Sequence, residues 1–428
     1  MHHENHTDFI DVVSNIKPTT LSGKTKGILF VMMVVGFGTF AYQAFGDQPR
    51  IGWIAFLHNL YFFTGLAAAG VLVAAIQQVT NANWGRPIKR FAEASGAFLP
   101  VAMLGLVVLY LGSEHVYSWV TDPPHTPHKH FWLQKEFLFG RDFIALGILT
   151  FVAFRFMKAS VRPDIGLAAE KNPDHYTKPK LWDGLENEVK TGYKKMSFYG
   201  PMYCLLFALI ISLLAYDLIM SLDPTWISAM FGGWNFTTVM LTGWISIYFM
   251  AYFMGNRFGL QKYMHRKMYH DAGKLTFGFT VIWGYLFFSQ YLVIWYGNLP
   301  QEVGYVLTRI NDPWKTFAIV VFLMVFILPF IFGLGKERKM SFMSFLPVIL
   351  VSLIGIWIER FLLIAPSSWY YDRATDHFKG GLTGLLISDG LVFIGFLGLF
   401  LFVYANYLYK RPVMVISDPK LSDGINRH

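Results

Sequence analysis

Ten stretches of this chain are each long and apolar enough to cross the hydrocarbon core of a bilayer, and nothing else in the sequence restricts the fold as much. A crossing helix needs about 20 mostly apolar residues. Such runs lie near 27–45, 53–79, 91–111, 141–156, 198–222, 234–254, 275–295, 314–331, 345–364 and 385–409. Backbone groups in hydrocarbon must bond within their own segment, so runs of this length read as helices. The expected fold class is all-α and membrane-integral, with about ten transmembrane helices. Helices two to five and six to nine would form two four-helix bundles, with helices one and ten flanking them. Small residues in helix two (Gly65, Ala67, Ala68, Ala69, Gly70) let neighbouring backbones approach closely. Only 15% of the 428 residues are charged, against about 25% in soluble proteins.

Orientation follows from Lys and Arg. The amino tail, every second loop after it and the carboxyl tail together hold 27 of the 36. The positive-inside rule then expects both ends in the cytoplasm. The net charge of +9 is mostly this bias, which removes the case for a nucleic-acid partner. The expected organisation is a cytoplasmic amino tail (1–26), helices one to four (27–157), a cytoplasmic linker rich in Lys, Pro, Asp and Glu (158–196), helices five to ten (197–409) and a cytoplasmic carboxyl tail (410–428). The amino tail lacks the basic-then-apolar order of a cleaved signal peptide. A faint likeness between FGDQPRIGWIAF and MFGGWNFTTVM hints at a parallel internal repeat.

Ionisable residues are costly inside a membrane, and they gather toward one end of the helices. His58 begins helix two, Glu114 and His115 end helix three, and Arg141 and Asp142 begin helix four. Asp217 lies late in helix five and Asp223 follows it; Glu359 and Arg360 lie late in helix nine, and Asp389 early in helix ten. All fall in the extracytoplasmic half. Together they suggest a polar pocket or proton path opening on the outer face, since carboxyl and imidazole groups exchange protons. The plainer alternative for each is a helix cap or an ion pair, with Arg141 neutralising Asp142 and Glu359 neutralising Arg360. On the cytoplasmic side Glu93, Arg155, His265, His270, Asp271 and Lys274 are candidates for an inner entry, with a solvated, headgroup-facing role as the alternative.

Several chemistries find no residues. One cysteine, Cys204, makes no internal disulfide, Cys-ligated cluster or CxxCH haem attachment. Only His58 and His115 lie in or at the ends of apolar runs, too few for two bis-histidine haems. There is no G-x-x-x-x-G-K-[ST] phosphate loop. The loop TDPPHTPHKHFW carries His125, His128 and His130, whose spacing matches no strong zinc pattern and which reads as a surface loop touching a partner. No metal site is expected.

Three segments carry a family resemblance: HDAGKLTFGFTVIWGYLFFSQYLVIWYGNLPQE (270–302), AYDLIMSLDPTWISAMFGGW (215–234) and IGIWIERFLLIAPS (354–367). They resemble the polysulfide-reductase-like (NrfD-like) membrane subunits of alternative complex III, the bacterial quinol:cytochrome c oxidoreductases that contain two such ten-helix paralogues. The likeness runs through helices five to ten and more loosely through one to four. The short chain is most similar to the smaller paralogue. The larger one's GHAG-like segment in helix two is replaced by FTGLAAAG (63–70), whereas its Asp early in helix four corresponds to Asp142. The resemblance implies a multi-pass subunit of the bacterial inner membrane with no redox centre of its own. Quinol is its implied ligand, and haem c and iron–sulfur clusters sit on partners. Those partners are multihaem cytochrome c subunits, an iron–sulfur subunit and the paralogous ten-helix subunit, with a terminal oxidase as a further candidate. On this reading Asp142 leads a set that carries protons or walls a quinone pocket. Two other functions remain open from the residues: a secondary transporter, whose sites usually lie near the midplane at broken helices, and a non-catalytic scaffold.

Overall fold

The computed structural model describes residues 10–373 and 381–425. The chain is 81% helical, with no strand among the described residues. Ten helices are long and apolar enough to span a membrane: α1 (Gly23–Ala44), α2 (Pro49–Val79), α3 (Arg86–Leu111), α4 (Lys135–Lys171), α5 (Leu185–Leu222), α6 (Phe231–Arg257), α7 (Arg266–Gly297), α8 (Lys315–Gly333), α9 (Phe342–Ser368) and α10 (Leu382–Leu408). The described residues before α1 and after α10 lie on the same side, the terminal face; the other is the distal face.

Packing follows exposure. In α2, 83% of the apolar window is buried, against 17% in α1 and 22% in α8. A helix apolar on every side and buried on every side belongs at a bundle centre. Helix α2 accordingly touches α1, α3, α5, α6, α9 and α10. Helices α2 to α5 pack as one group and α6 to α9 as another, while α1 and α10 pair along the side. That pairing is close because Gly36 faces Gly395: a Cβ added at Gly395 would stand 2.9 Å from the Gly36 Cα. Small residues at a crossing let backbones meet where lipid supplies no hydrophobic drive.

The stretch expected as a linker is mostly helix. Helix α4 continues to Lys171 and α5 starts at Leu185, leaving 172–184 between them. Polar residues hold this extension together: Arg162 donates to both oxygens of Glu188 at 2.8 and 2.6 Å. The carboxyl tail is no loose tail either. Val413, Met414, Val415, Ile416 and Leu421 are buried. The described part of the amino tail joins it, with the Thr19 amide donating to the Tyr409 carbonyl at 3.0 Å and the Tyr176 hydroxyl to the Ile16 carbonyl at 2.9 Å. Both tails carry enough apolar side chain to fold back over the terminal face.

Candidate functional site

Because α2 has almost no lipid-facing side, polar residues on it point into protein. His58, Asn59 and Tyr61 do so near the distal face, His58 roughly 14 Å along the helix from Pro49 at 1.5 Å per residue. His58 is fully buried. Its Nδ1 lies 2.9 Å from both carboxyl oxygens of Asp389 on α10, and its Nε2 lies 2.9 Å from the Trp357 carbonyl oxygen on α9. A carbonyl only accepts, so Nε2 carries hydrogen. A second hydrogen must then lie between Nδ1 and the Asp389 carboxyl, whichever of the two owns it. The pair is a unit that holds one proton. Asn59 fixes its geometry: its amide nitrogen donates to Asp389 at 2.9 Å, and its amide oxygen accepts from the Trp357 indole at 3.1 Å.

One turn further, the Tyr61 hydroxyl donates to Asn235 Oδ1 of α6 at 3.3 Å. Arg360 of α9 donates to the same oxygen, and its guanidinium lies 5.7 Å from the Tyr61 ring centroid. Arg360 is 3.4 Å from its neighbour Glu359, so that pair is self-neutralised as expected. Glu359 Oε1 accepts from the Trp283 indole at 3.1 Å and from Thr238 at 3.4 Å.

The Arg141–Asp142 expectation is corrected. Adjacent helical residues point about 100° apart, and Arg141 reaches across to Asp217 on α5 instead, with Nε and Nη2 each 2.7 Å from a carboxyl oxygen. Trp132 adds its indole N–H to Asp217 at 3.0 Å and lies under the guanidinium at 3.8 Å. Asp142 is fully buried with its carboxyl against that of Asp217, and no N–H or hydroxyl among the described residues donates to either of its oxygens. One guanidinium balances one carboxylate. The second carboxyl is neutral when it carries a proton.

Seven of the expected residues thus find partners in the distal half, in three groups: His58 with Asp389, Glu359 with Arg360, and Arg141 and Asp142 with Asp217. Three stand apart from these groups. Glu114 and His115 stand at the surface, 58% and 36% exposed and 3.7 Å apart. Asp223 accepts from the Thr225 amide and hydroxyl at 3.2 and 2.6 Å in a distal turn. The loop histidines 125, 128 and 130 are exposed, and no group of three or more metal-ligating side chains occurs among the described residues.

The terminal side departs most from expectation. Glu93 faces neither solvent nor headgroups. It accepts from Arg90, which also bonds Asp164. Asp164 accepts from the Ser417 amide and hydroxyl at 2.8 and 2.6 Å. Arg86 lies 3.0 Å from Asp418, and Arg86 and Lys89 share Gln78 Oε1 at 2.5 and 2.9 Å. Three cations (Arg86, Lys89, Arg90) meet three carboxyls (Glu93, Asp164, Asp418), all buried. The charges balance, and the cluster ties the carboxyl tail to α3 and α4. The other entry candidates stay apart: Arg155 is exposed beside Tyr199, and His265, His270, Asp271 and Lys274 sit at the start of α7, with Lys274 2.7 Å from Asp271.

No protein-family model matches the chain, and no curated protein matches it.

Proposed function

We propose that this chain is the membrane subunit of a bacterial quinol:cytochrome c oxidoreductase of the alternative complex III type, and that its distal network moves the protons of quinol oxidation. Both tails are then cytoplasmic, as the Lys and Arg bias requires, and the distal face is periplasmic. Oxidation of one quinol releases two protons and two electrons. The electrons pass to haem c and iron–sulfur partners, and the protons need groups that bind and release them away from lipid.

The observation that carries this reading is the buried His58–Asp389 pair, which holds one proton between two helices that both reach the membrane interior. A scaffold has no need of such a pair at bundle depth, where buried ionisable groups are costly. The Asp142 carboxyl, set against that of Asp217, is a second proton holder in the distal half. A transporter reading draws on the break in α3 at Ser95–Phe98, but the buried charges beside it, Arg90 and Glu93, are tied into the balanced terminal cluster.

The test starts from native membrane. The chain, affinity-purified in mild detergent, should carry haem absorbance and quinol:cytochrome c activity, and Asp389→Asn should lower that activity at least about tenfold. Purification free of haem, or full activity in both Asp389→Asn and Asp142→Asn, would leave only the scaffold.

A further inference from the structure

A groove of about 710 Å³ opens on the distal face between the end of α5, the short helix Pro300–Ile310 and the end of α9. Tyr305 lines it yet is only 4% exposed. Its ring is stacked 3.6 Å from Trp226 on one face and lies 3.3 Å from the Arg309 guanidinium on the other. Arg309 is held in turn by the Leu362 and Leu363 carbonyls at 3.0 and 2.8 Å. Pro366, which has no N–H, leaves the Leu362 carbonyl without its helical donor, so this arginine has a structural reason to be there. The Tyr305 hydroxyl has no such reason. It is buried within reach of the Arg309 guanidinium, which only donates, and has no acceptor for its own hydrogen among the described residues.

Two further buried polar atoms without a hydrogen-bond partner, Trp226 Nε1 and Trp234 Nε1, belong to side chains packed from Tyr305 toward the network, where Glu359 Oε2 and Arg360 Nη2 face each other at 3.4 Å. Their side chains are continuous. Trp226 packs on Phe231 at 5.1 Å, Phe231 on Trp234 at 6.2 Å and Trp234 on Trp283 at 5.8 Å. Trp283 bonds Glu359. Tyr305 is within charge–charge reach of Glu359 and Arg360 on the inner side and of Arg309 and Asp223 on the groove side. Orphan donors and acceptors are rare in proteins because buried water usually pairs them.

We infer that this groove is the aqueous mouth of the distal network, with bound water joining Glu359 and Arg360 to the Tyr305 hydroxyl, and Tyr305 closing the passage between them and the groove. A proton first taken up by the Glu359 carboxylate passes along water to Tyr305, whose hydroxyl accepts one hydrogen as it donates its own into the groove, and Glu359 is left ionised beside Arg360 again. No electron moves and no bond other than O–H changes. The inference rests on the proposed proton role for its direction, but hydration of the passage is a property of the chain alone.

Radiolytic hydroxyl-radical labelling with mass spectrometry reads that hydration. Tyr305, Trp226 and Trp234 should label about tenfold faster than the equally buried Tyr203 and Tyr248, since a bound water delivers the radical. Those two hydroxyls bond the Ala68 and Lys339 carbonyls. Labelling at the rate of Tyr203 and Tyr248 overturns the inference, whether or not the complex oxidises quinol. A plug tests the direction. A Cβ at Gly304 meets nothing within 4 Å, so Gly304→Cys in a Cys204→Ser background should fold and release protons normally. A charged, membrane-impermeant thiosulfonate should then slow labelling of Tyr305 and slow proton release about tenfold, reversibly with reductant. Tyr305→Phe should slow release with little loss of stability, because its hydroxyl donates to no protein acceptor and Arg309 keeps its carbonyl partners. Proton release indifferent to both the plug and Tyr305→Phe rules the groove out as the exit.

Discussion

Replacing Arg90 with Met should be among the most damaging single changes in the chain. Arg90 is fully buried and joins Glu93 and Asp164, with a further bond to the Ser160 carbonyl at 3.3 Å. Removing one partner of a buried ion pair costs about 3–5 kcal/mol, because the other charge is left behind. Here two carboxyls lose one cation. Their costs overlap, since protonation relieves each in turn, so about 4–6 kcal/mol is the expected loss. Asp164 also holds Ser417, so the carboxyl tail should loosen at the same time. The assay is unfolding by SDS in mixed micelles, followed by the reactivity of Cys204, the one cysteine in the sequence and half-buried in α5. The double change Arg90→Met, Asp164→Asn should recover much of the loss, since the remaining charges balance, Lys89 facing Glu93 and Arg86 facing Asp418. A single mutant within about 1 kcal/mol of wild type, or a double mutant no better than the single, would refute this account of the cluster.

Other consequences follow from single contacts. Gly70→Ala puts a methyl 2.7 Å from the Ala92 carbonyl oxygen and 2.9 Å from Ser95 Cβ; the same assay should show a loss of about 1–3 kcal/mol. Asp142→Asn should cost less than about 1 kcal/mol, as the carboxyl oxygens accept nothing, whereas Asp217→Asn strips the Arg141 guanidinium of its carboxylate and should cost several times more. Burial pushes the Tyr305 phenol up to about 12, while unfolded tyrosines ionise near 10. The unfolded state therefore loses its proton first, and stability present below about pH 10 falls by about 2 kcal/mol from this residue by about pH 12. Tyr305→Phe should flatten that part of the pH–stability curve; an unchanged slope would show that the phenol ionises normally.

The ten helices and their rough positions were legible because a hydrocarbon slab imposes one length and one polarity on every crossing. Helix ends were less so. The residues after Met157 are polar enough to read as linker, and contacts far along the chain, Arg162 with Glu188 across to α5 and Asp164 with Arg90 and Ser417, keep them helical and packed. Charged members of the distal network were readable from cost alone. Asn59 and Asn235, which orient Asp389 and Arg360, were not picked out because an uncharged amide in an apolar run stands out less, yet interhelical amides are a recognised glue. The terminal cluster was misread for a different reason. Arg86, Lys89, Arg90 and Glu93 sit where headgroups normally claim basic residues, and their partners Asp164 and Asp418 lie far along the chain. Nothing local shows that the tail returns to cover them. Tyr305 and Arg309 lie outside every crossing segment, so a search confined to the membrane interior passes over both.

The most direct test of the central claim is the rate of proton release, measured side by side with the rate of electron transfer to cytochrome c. It is measured with the whole complex in sealed liposomes, comparing wild type with Asp389→Asn, Asp142→Asn and Glu359→Gln. If the distal network carries the protons of quinol oxidation, each substitution lowers proton release and electron transfer together, and Asp142→Asn does so in protein of wild-type stability. Unaltered release and turnover in all three variants would mean that these buried acids serve only to hold helices together.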